Sequence, residues 1–212
     1  MSFWIQYPNL KFDPIEHKYT WNNVERPSVS NVLERVGVLK ESGYYNPVGY
    51  GKFAKQDPDL AEFGNALHKI APALVLKKAV KYPESMEPWI SKLREYLVKN
   101  PLTPLKDKNE HYLIEYPMYS KSGYCGTPDL IALNKKNEIC VVDWKTSEAI
   151  VKHYHYQTAA YGKLVSEVHK LPIKNRITVR INENKCDDEV RKYKSEDLIV
   201  FVSCLNIVKM VK

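Results

Sequence analysis

A chain of 212 residues, 44% of them hydrophobic, is long enough to bury a substantial core in one domain and does not demand a second. Lys and Arg number 32 against 25 Asp and Glu, and the formal net charge of +7 favours a polyanionic partner without specifying it. No apolar stretch approaches a membrane span, residues 1–8 lack the order of a secretion signal, and four Cys without a Cys-x-x-Cys pair exclude a zinc knuckle or secreted disulfide framework.

The expectation is a cytoplasmic, soluble protein with reduced thiols and no membrane partner. In chain order, Lys18-Tyr19-Thr20-Trp21 and Val24-Glu25-Arg26 flank Asn22-Asn23 and predict a hairpin within residues 10–26. Ser28 or Ser30 caps a short helix through Val32, Leu33 and Val36 that Gly37 stops. Residues 41–53, with Gly43, Tyr44, Tyr45, Pro47, Gly49, Tyr50, Gly51 and Phe53, read as an exposed loop or broken helix. Leu60, Phe63, Leu67 and Ile70 recur at helical spacing and predict a helix over 59–71, interrupted by Pro72. Another runs over 84–99, with Trp89, Ile90, Leu93 and Leu97 on one side.

Three strands follow over 111–119, 124–133 and 138–144, joined by turns at Lys121-Ser122-Gly123 and Lys135-Lys136-Asn137. Helical periodicity returns over 152–168, residues 176–181 read as a strand, and Ser195 caps a last helix through Leu198, Val202 and Leu205. Asp187-Asp188-Glu189 reads as a solvated turn. The fold class is α/β: a mixed central sheet with an antiparallel meander, flanked by helices. One domain spans 1–212, with a hairpin, helix and aromatic loop over 1–57, a core over 58–182 and a C-terminal helix region over 183–212.

Asp143 and Lys145 are two apart, so on a strand both leave the same face, and Asp129 sits on the neighbouring strand. Two buried carboxylates beside an amine are costly unless a cation neutralises them. One carboxylate from each strand can share a Mg²⁺, with Lys145 stabilising charge on an attacked phosphate, which is nuclease chemistry. An isolated Asp-x-Lys is otherwise a surface ion pair, but Ile139, Val141, Val142 and Trp144 bury this strand.

Pro128-Asp129 followed by Asp143-Trp144-Lys145 resembles the active-site signature of the PD-(D/E)XK nucleases. Gly64-Asn65-Ala66-Leu67-His68 resembles the Gly-x-x-x-His motif of that superfamily's RecB-like branch, and Gln157-Thr158-Ala159-Ala160-Tyr161 its Gln-x-x-x-Tyr motif. The motifs stand in the family's order across residues 64–161. Residues 12–19, with Pro27-Ser28-Val29, are more loosely similar to the lead-in of phage-type exonucleases.

The resemblance implies a restriction-endonuclease-like core. It implies metal held by His68, Asp129, Asp143 and the Trp144 backbone carbonyl, catalysis by Lys145, and a Glu115 that touches the metal through water or Lys145. His68 alone also reads as a hydrogen-bonded, half-buried histidine, and Glu115 as a solvent-facing strand residue. An imidazole ligand suits Mn²⁺ better than Mg²⁺. Gly64, one turn before His68, lets helix and sheet approach closely.

Gln157 and Tyr161 share a helical face, where Gln157 orients Lys145 or a phosphate and Tyr161 contacts the DNA backbone; a polar surface stripe is the alternative. Thr146 joins the substrate-binding set. Tyr44 and Tyr45, with Lys52, resemble a stacking platform for single-stranded DNA, against ordinary loop packing. His153 and His155 read as phosphate contacts or surface residues. The four Cys depart from the pattern that holds an iron–sulfur cluster in several enzymes of this branch, so none is expected.

The implied activity is a Mg²⁺- or Mn²⁺-dependent exonuclease acting on DNA ends in recombination, repair or replication, in a phage or virus among other settings, alongside a single-strand annealing or recombination partner. A flap- or junction-cutting endonuclease and a non-catalytic DNA-binding subunit remain the alternatives.

Overall fold

The computed structural model describes residues 9–13, 16–37 and 58–211, main chain only for 58–62. Asn22 and Asn23 adopt left-handed φ of 52° and 60°, the backbone that a tight turn between right-twisted strands requires. This turn joins β2 (Lys18–Trp21) to β3 (Val24–Arg26), with Trp21 opposite Val24, and β1 (Leu10–Asp13) adds antiparallel to β2. The expected hairpin is therefore a three-stranded meander. Ser28 caps α1 (Val29–Arg35): its Oγ accepts the Asn31 N–H at 3.0 Å, and the Asn31 side chain accepts the Ser28 N–H.

Helix α2 (Pro58–Val75) runs past the boundary expected at Pro72. Proline removes only the bond to the carbonyl four residues back, that of His68, while Leu67, Ile70, Ala71 and Val75 keep burying the helix on both sides of it. A 3₁₀ turn at Glu84–Met86 leads into α3 (Glu87–Lys99), whose Ile90, Leu93 and Tyr96 are buried.

The central sheet has five strands: β4 (Thr103–Pro104), β7 (Leu130–Leu133), β8 (Ile139–Lys145), β9 (Asn175–Ile181) and β10 (Cys186–Lys192), ordered β10-β9-β8-β7-β4. Only β8 and β9 are parallel, so a crossover must join them, and α4 (Lys152–His169) provides it. Helix α5 (Ser195–Met210) closes the chain. The mixed α/β class expected from the sequence is the one observed.

Alternation along the strands sorts the core into two layers. Ile131 and Val141 face α1, α4 and α5 through Leu33, Ala160, Leu164, Val165, Phe201 and Leu205. Leu130, Cys140, Val142, Trp144 and Val179 face α2 and α3 through Leu67, Ala71, Leu93 and Tyr96. No described helix is long and apolar enough to cross a membrane, and all four Cys are free thiols.

Several elements differ from expectation. The 111–119 run is no continuous strand: Tyr112 and Ile114 make isolated bridges, Glu115 bends the chain at φ 46°, and only β5 (Met118–Tyr119) is a strand. The 124–133 run splits into β6 (Cys125–Gly126), paired with β5, and β7, because Pro128 lies between them without an N–H to give. Asp187-Asp188-Glu189 is mid-strand in β10, its charges taken up by Arg180, the Tyr96 hydroxyl and His155 respectively. Ser195 makes no side-chain cap; Lys194 holds the cap position, and Glu196 and Asp197 supply negative charge to the first turn of α5.

Candidate active site

The β7–β8 ladder sets Leu130 opposite Val142, which brings Asp129, just before β7, to the end of β8. There the Trp144 N–H donates to Asp129 Oδ2 at 2.7 Å. Trp144, whose carbonyl the resemblance makes a ligand, thus orients one through its amide. The Glu115 N–H donates to the Asp129 carbonyl at 3.0 Å. Its left-handed φ of 46°, unfavourable for a residue with a Cβ, accompanies that contact.

From α2, His68 Nδ1 lies 3.2 Å from Glu115 Oε1 and 3.4 Å from Asp129 Oδ1. One ligand atom each from His68, Glu115 and Asp129 fall within 4.8 Å of one another. Asp143 stands beside this cluster rather than in it, with Oδ2 2.8 Å from Lys145 Nζ. Of the expected ligands, His68 and Asp129 fall within this cluster, and Glu115 joins them. Glu115 lies on a bend rather than a strand, directly against His68.

Opposite charges face one another across the cluster. Burial lifts the Asp143 carboxyl to about 6 and that of Glu115 to about 7. Burial acts upward on Asp129 too, but the His68 charge overcomes it and holds Asp129 below the usual range. The Asp129 charge in turn raises His68 to about 11. Lys145 stays above its ordinary value because Asp143 and Asp129 outweigh its own desolvation. His68 and Lys145 thus place positive charge directly beside these carboxylates.

A divalent cation nevertheless fits the donor set. Asp143 is 1% exposed, and its Oδ2, though at ion-pair distance from Lys145, receives no hydrogen bond of acceptable geometry, which is uncommon for a buried carboxylate oxygen. One imidazole with carboxylate oxygens suits Mg²⁺ or Mn²⁺, the imidazole favouring Mn²⁺. His68 must lose its proton to serve as a ligand.

The parity that puts Asp143 and Lys145 on the Val141 side turns them towards α4. There Tyr154 sets its ring centroid 5.1 Å from Lys145 Nζ. Gln157 donates its amide to the Tyr161 hydroxyl at 3.1 Å rather than to Lys145. Burial, then the Asp143 charge, hold the Tyr161 phenol well above its ordinary range. Thr146 Oγ1 would lie 3.2 Å from a Cβ at Gly64, the close approach of α2 to the end of β8 that this glycine permits.

His155 is not a surface residue: its side chain is 12% exposed and pairs with Glu189 at 3.1 Å. Burial, then the Lys145 charge, bring His153 down to about 4. Tyr44, Tyr45 and Lys52 lie outside the described residues. Two contacts escaped the sequence reading. Tyr154 shares a helical face with Gln157 and Tyr161, three and seven residues on, a usable signal. Tyr19 bonds Thr127 Oγ1 at 2.7 Å across 108 residues, beside Pro128-Asp129, where no local pattern could announce it.

No sequence-family model and no curated protein matches this chain. Among solved structures, it is similar to the crystal structure of SSO0001 over 87% of this chain and 70% of that one, with 15% identity and a TM-score of 0.41.

Proposed function

We propose that this chain is a metal-dependent deoxyribonuclease of the RecB-like PD-(D/E)XK type, an exonuclease hydrolysing phosphodiester bonds at DNA ends. The observation that carries the reading is the convergence of His68, Glu115 and Asp129 beside the Asp143–Lys145 pair. His68, Glu115 and Asp129 would hold Mg²⁺ or Mn²⁺, with Asp143 adjacent. When bound, such an ion supplies Lewis-acid polarisation of a phosphoryl oxygen and lowers the pKa of a water.

The side chains supply the rest. Lys145 presents a positive charge to the phosphoryl group as negative charge grows there. Glu115, 3.2 Å from His68, can help orient the attacking water. Tyr161, fixed by Gln157, offers a hydroxyl beside this centre to the DNA backbone, and Thr146 sits at the end of β8 next to Lys145. The net charge of +7 supports a polyanionic substrate. A place in recombination, repair or replication, with a strand-annealing partner, follows from the motif resemblance.

The test is cleavage of end-labelled linear DNA with Mg²⁺ or Mn²⁺ by the wild type, Asp143→Ala and Lys145→Ala. Loss of cleavage in both variants is expected, with covalently closed circles left intact by the wild type. Unchanged cleavage in both variants overturns the assignment, and nicking of closed circles turns it towards an endonuclease.

A further inference from the structure

Lysine presents a compact charge on a flexible four-carbon stem, so one contact does not fix where its ammonium points. For Lys145 the carboxylate of Asp143 is such a contact, close at 2.8 Å but without hydrogen-bond geometry. The second direction comes from the Tyr154 ring face, 5.1 Å from Nζ. Lys145 is 17% exposed and Tyr154 is 8% exposed, so the pair is largely removed from water, where attraction between a cation and a ring is strongest.

The ring is itself held. Tyr154 lies in the first turn of α4; its N–H donates to the Val151 carbonyl at 3.0 Å, and its carbonyl accepts from Thr158 Oγ1 at 2.9 Å. His153 meets its ring edge to face, with centroids 4.3 Å apart. Gln157, the nearby motif residue, gives its amide to Tyr161.

We propose that Tyr154 is the positioning residue for Lys145: its ring face, together with Asp143, sets the ammonium where charge develops on the attacked phosphoryl group. The proposal rests on the nuclease reading and deepens it by identifying what aims the lysine. The requirement is an aromatic face, so Phe substitutes for Tyr and Leu does not.

Steady-state cleavage by Tyr154→Phe and Tyr154→Leu tests it. Tyr154→Leu is expected to lose about tenfold in kcat at unchanged KM, the signature of an interaction made in the transition state, while Tyr154→Phe stays within about twofold of wild type. A readout independent of cleavage is the Lys145 Hε–Cε signal in ¹³C-lysine-labelled protein, assigned by its absence from Lys145→Ala. The ring current displaces this signal in the wild type and Tyr154→Phe, and Tyr154→Leu returns it to the ordinary lysine position.

Wild-type kcat in Tyr154→Leu, an equal loss in Tyr154→Phe, or a lysine signal insensitive to Tyr154→Leu overturns the proposal. If Asp143→Ala and Lys145→Ala both cleave normally, the nuclease reading fails instead, and the NMR signal still reports whether ring and ammonium meet.

Discussion

Gly126→Ala isolates the contact that seats α4 over the carboxylates. A Cβ at this position would lie 2.8 Å from Tyr161 Cε1, 2.9 Å from Leu164 Cδ1 and 3.1 Å from Tyr161 Cδ1. Tyr161 is 6% exposed and Leu164 fully buried, so neither can swing into solvent to make room. Overpacking of this kind costs about 1–3 kcal/mol, and the smaller entropy of an unfolded chain with Ala in place of Gly returns about 0.4–1 kcal/mol. A net loss of about 1–2 kcal/mol lowers the melting temperature of a domain this size by about 2–8 °C. Thermal unfolding followed by circular dichroism measures it. In a Tyr161→Leu background the crowding ring is gone, and the same Gly126→Ala change should cost measurably less. Displacing Tyr161 should also lower DNA cleavage while leaving divalent-cation affinity at His68, Glu115 and Asp129 unchanged. A melting temperature equal to or above wild type would show that β6 and α4 do not pack as described, and would refute the reasoning.

Asp197→Asn should destabilise the chain by about 3 kcal/mol, because the Arg176 guanidinium, 2% exposed and 2.6 Å from Asp197, is left buried without its counter-charge; a urea midpoint matching wild type would contradict this. The pH dependence of stability has a definite sign. His68 (about 11), Glu115 (about 7) and Asp143 (about 6) all bind protons more tightly folded than unfolded. The stability they contribute is therefore complete at low pH and lost as pH rises, the carboxyls fading first and His68 from its unfolded value of 6.5 upward. Asp129 has the opposite sign, its contribution being lost only in acid. In chelator the melting temperature should fall between about pH 7 and 9.5, and His68→Asn should flatten that slope; an equal slope in both proteins would exclude His68 as its source.

Local chemistry made much of the fold legible. Asn22-Asn23, the Ser28 cap and the helical stripes on α2, α3 and α4 are each decided within a few residues, and each appears where those residues stand. What escaped depends on partners far along the chain. Three consecutive acids look solvated until β10 is paired, when Arg180, Tyr96 and His155 absorb them. Pro72 is a local stop signal, and burial on both sides of it overrides that signal. Glu115 follows the same logic: nothing in its neighbourhood announces a bend with left-handed φ, because its N–H donates to the carbonyl of Asp129, distant in sequence.

The carboxylates themselves are where sequence and structure inform each other most. Two buried aspartates near an amine imply a need for positive charge, and the chain meets it twice over, with Lys145 at Asp143 and protonated His68 at Asp129. Under the proposed function His68 has two states of opposite use: with its proton it balances Asp129, and without it the same Nδ1 becomes available to a divalent cation. Each ion bound must expel that proton, so cation affinity should rise with pH over the range in which the chain without metal loses stability. One side chain thus couples these opposed trends, and Asp143, 2.8 Å from Lys145 Nζ, stands beside the donors His68, Glu115 and Asp129.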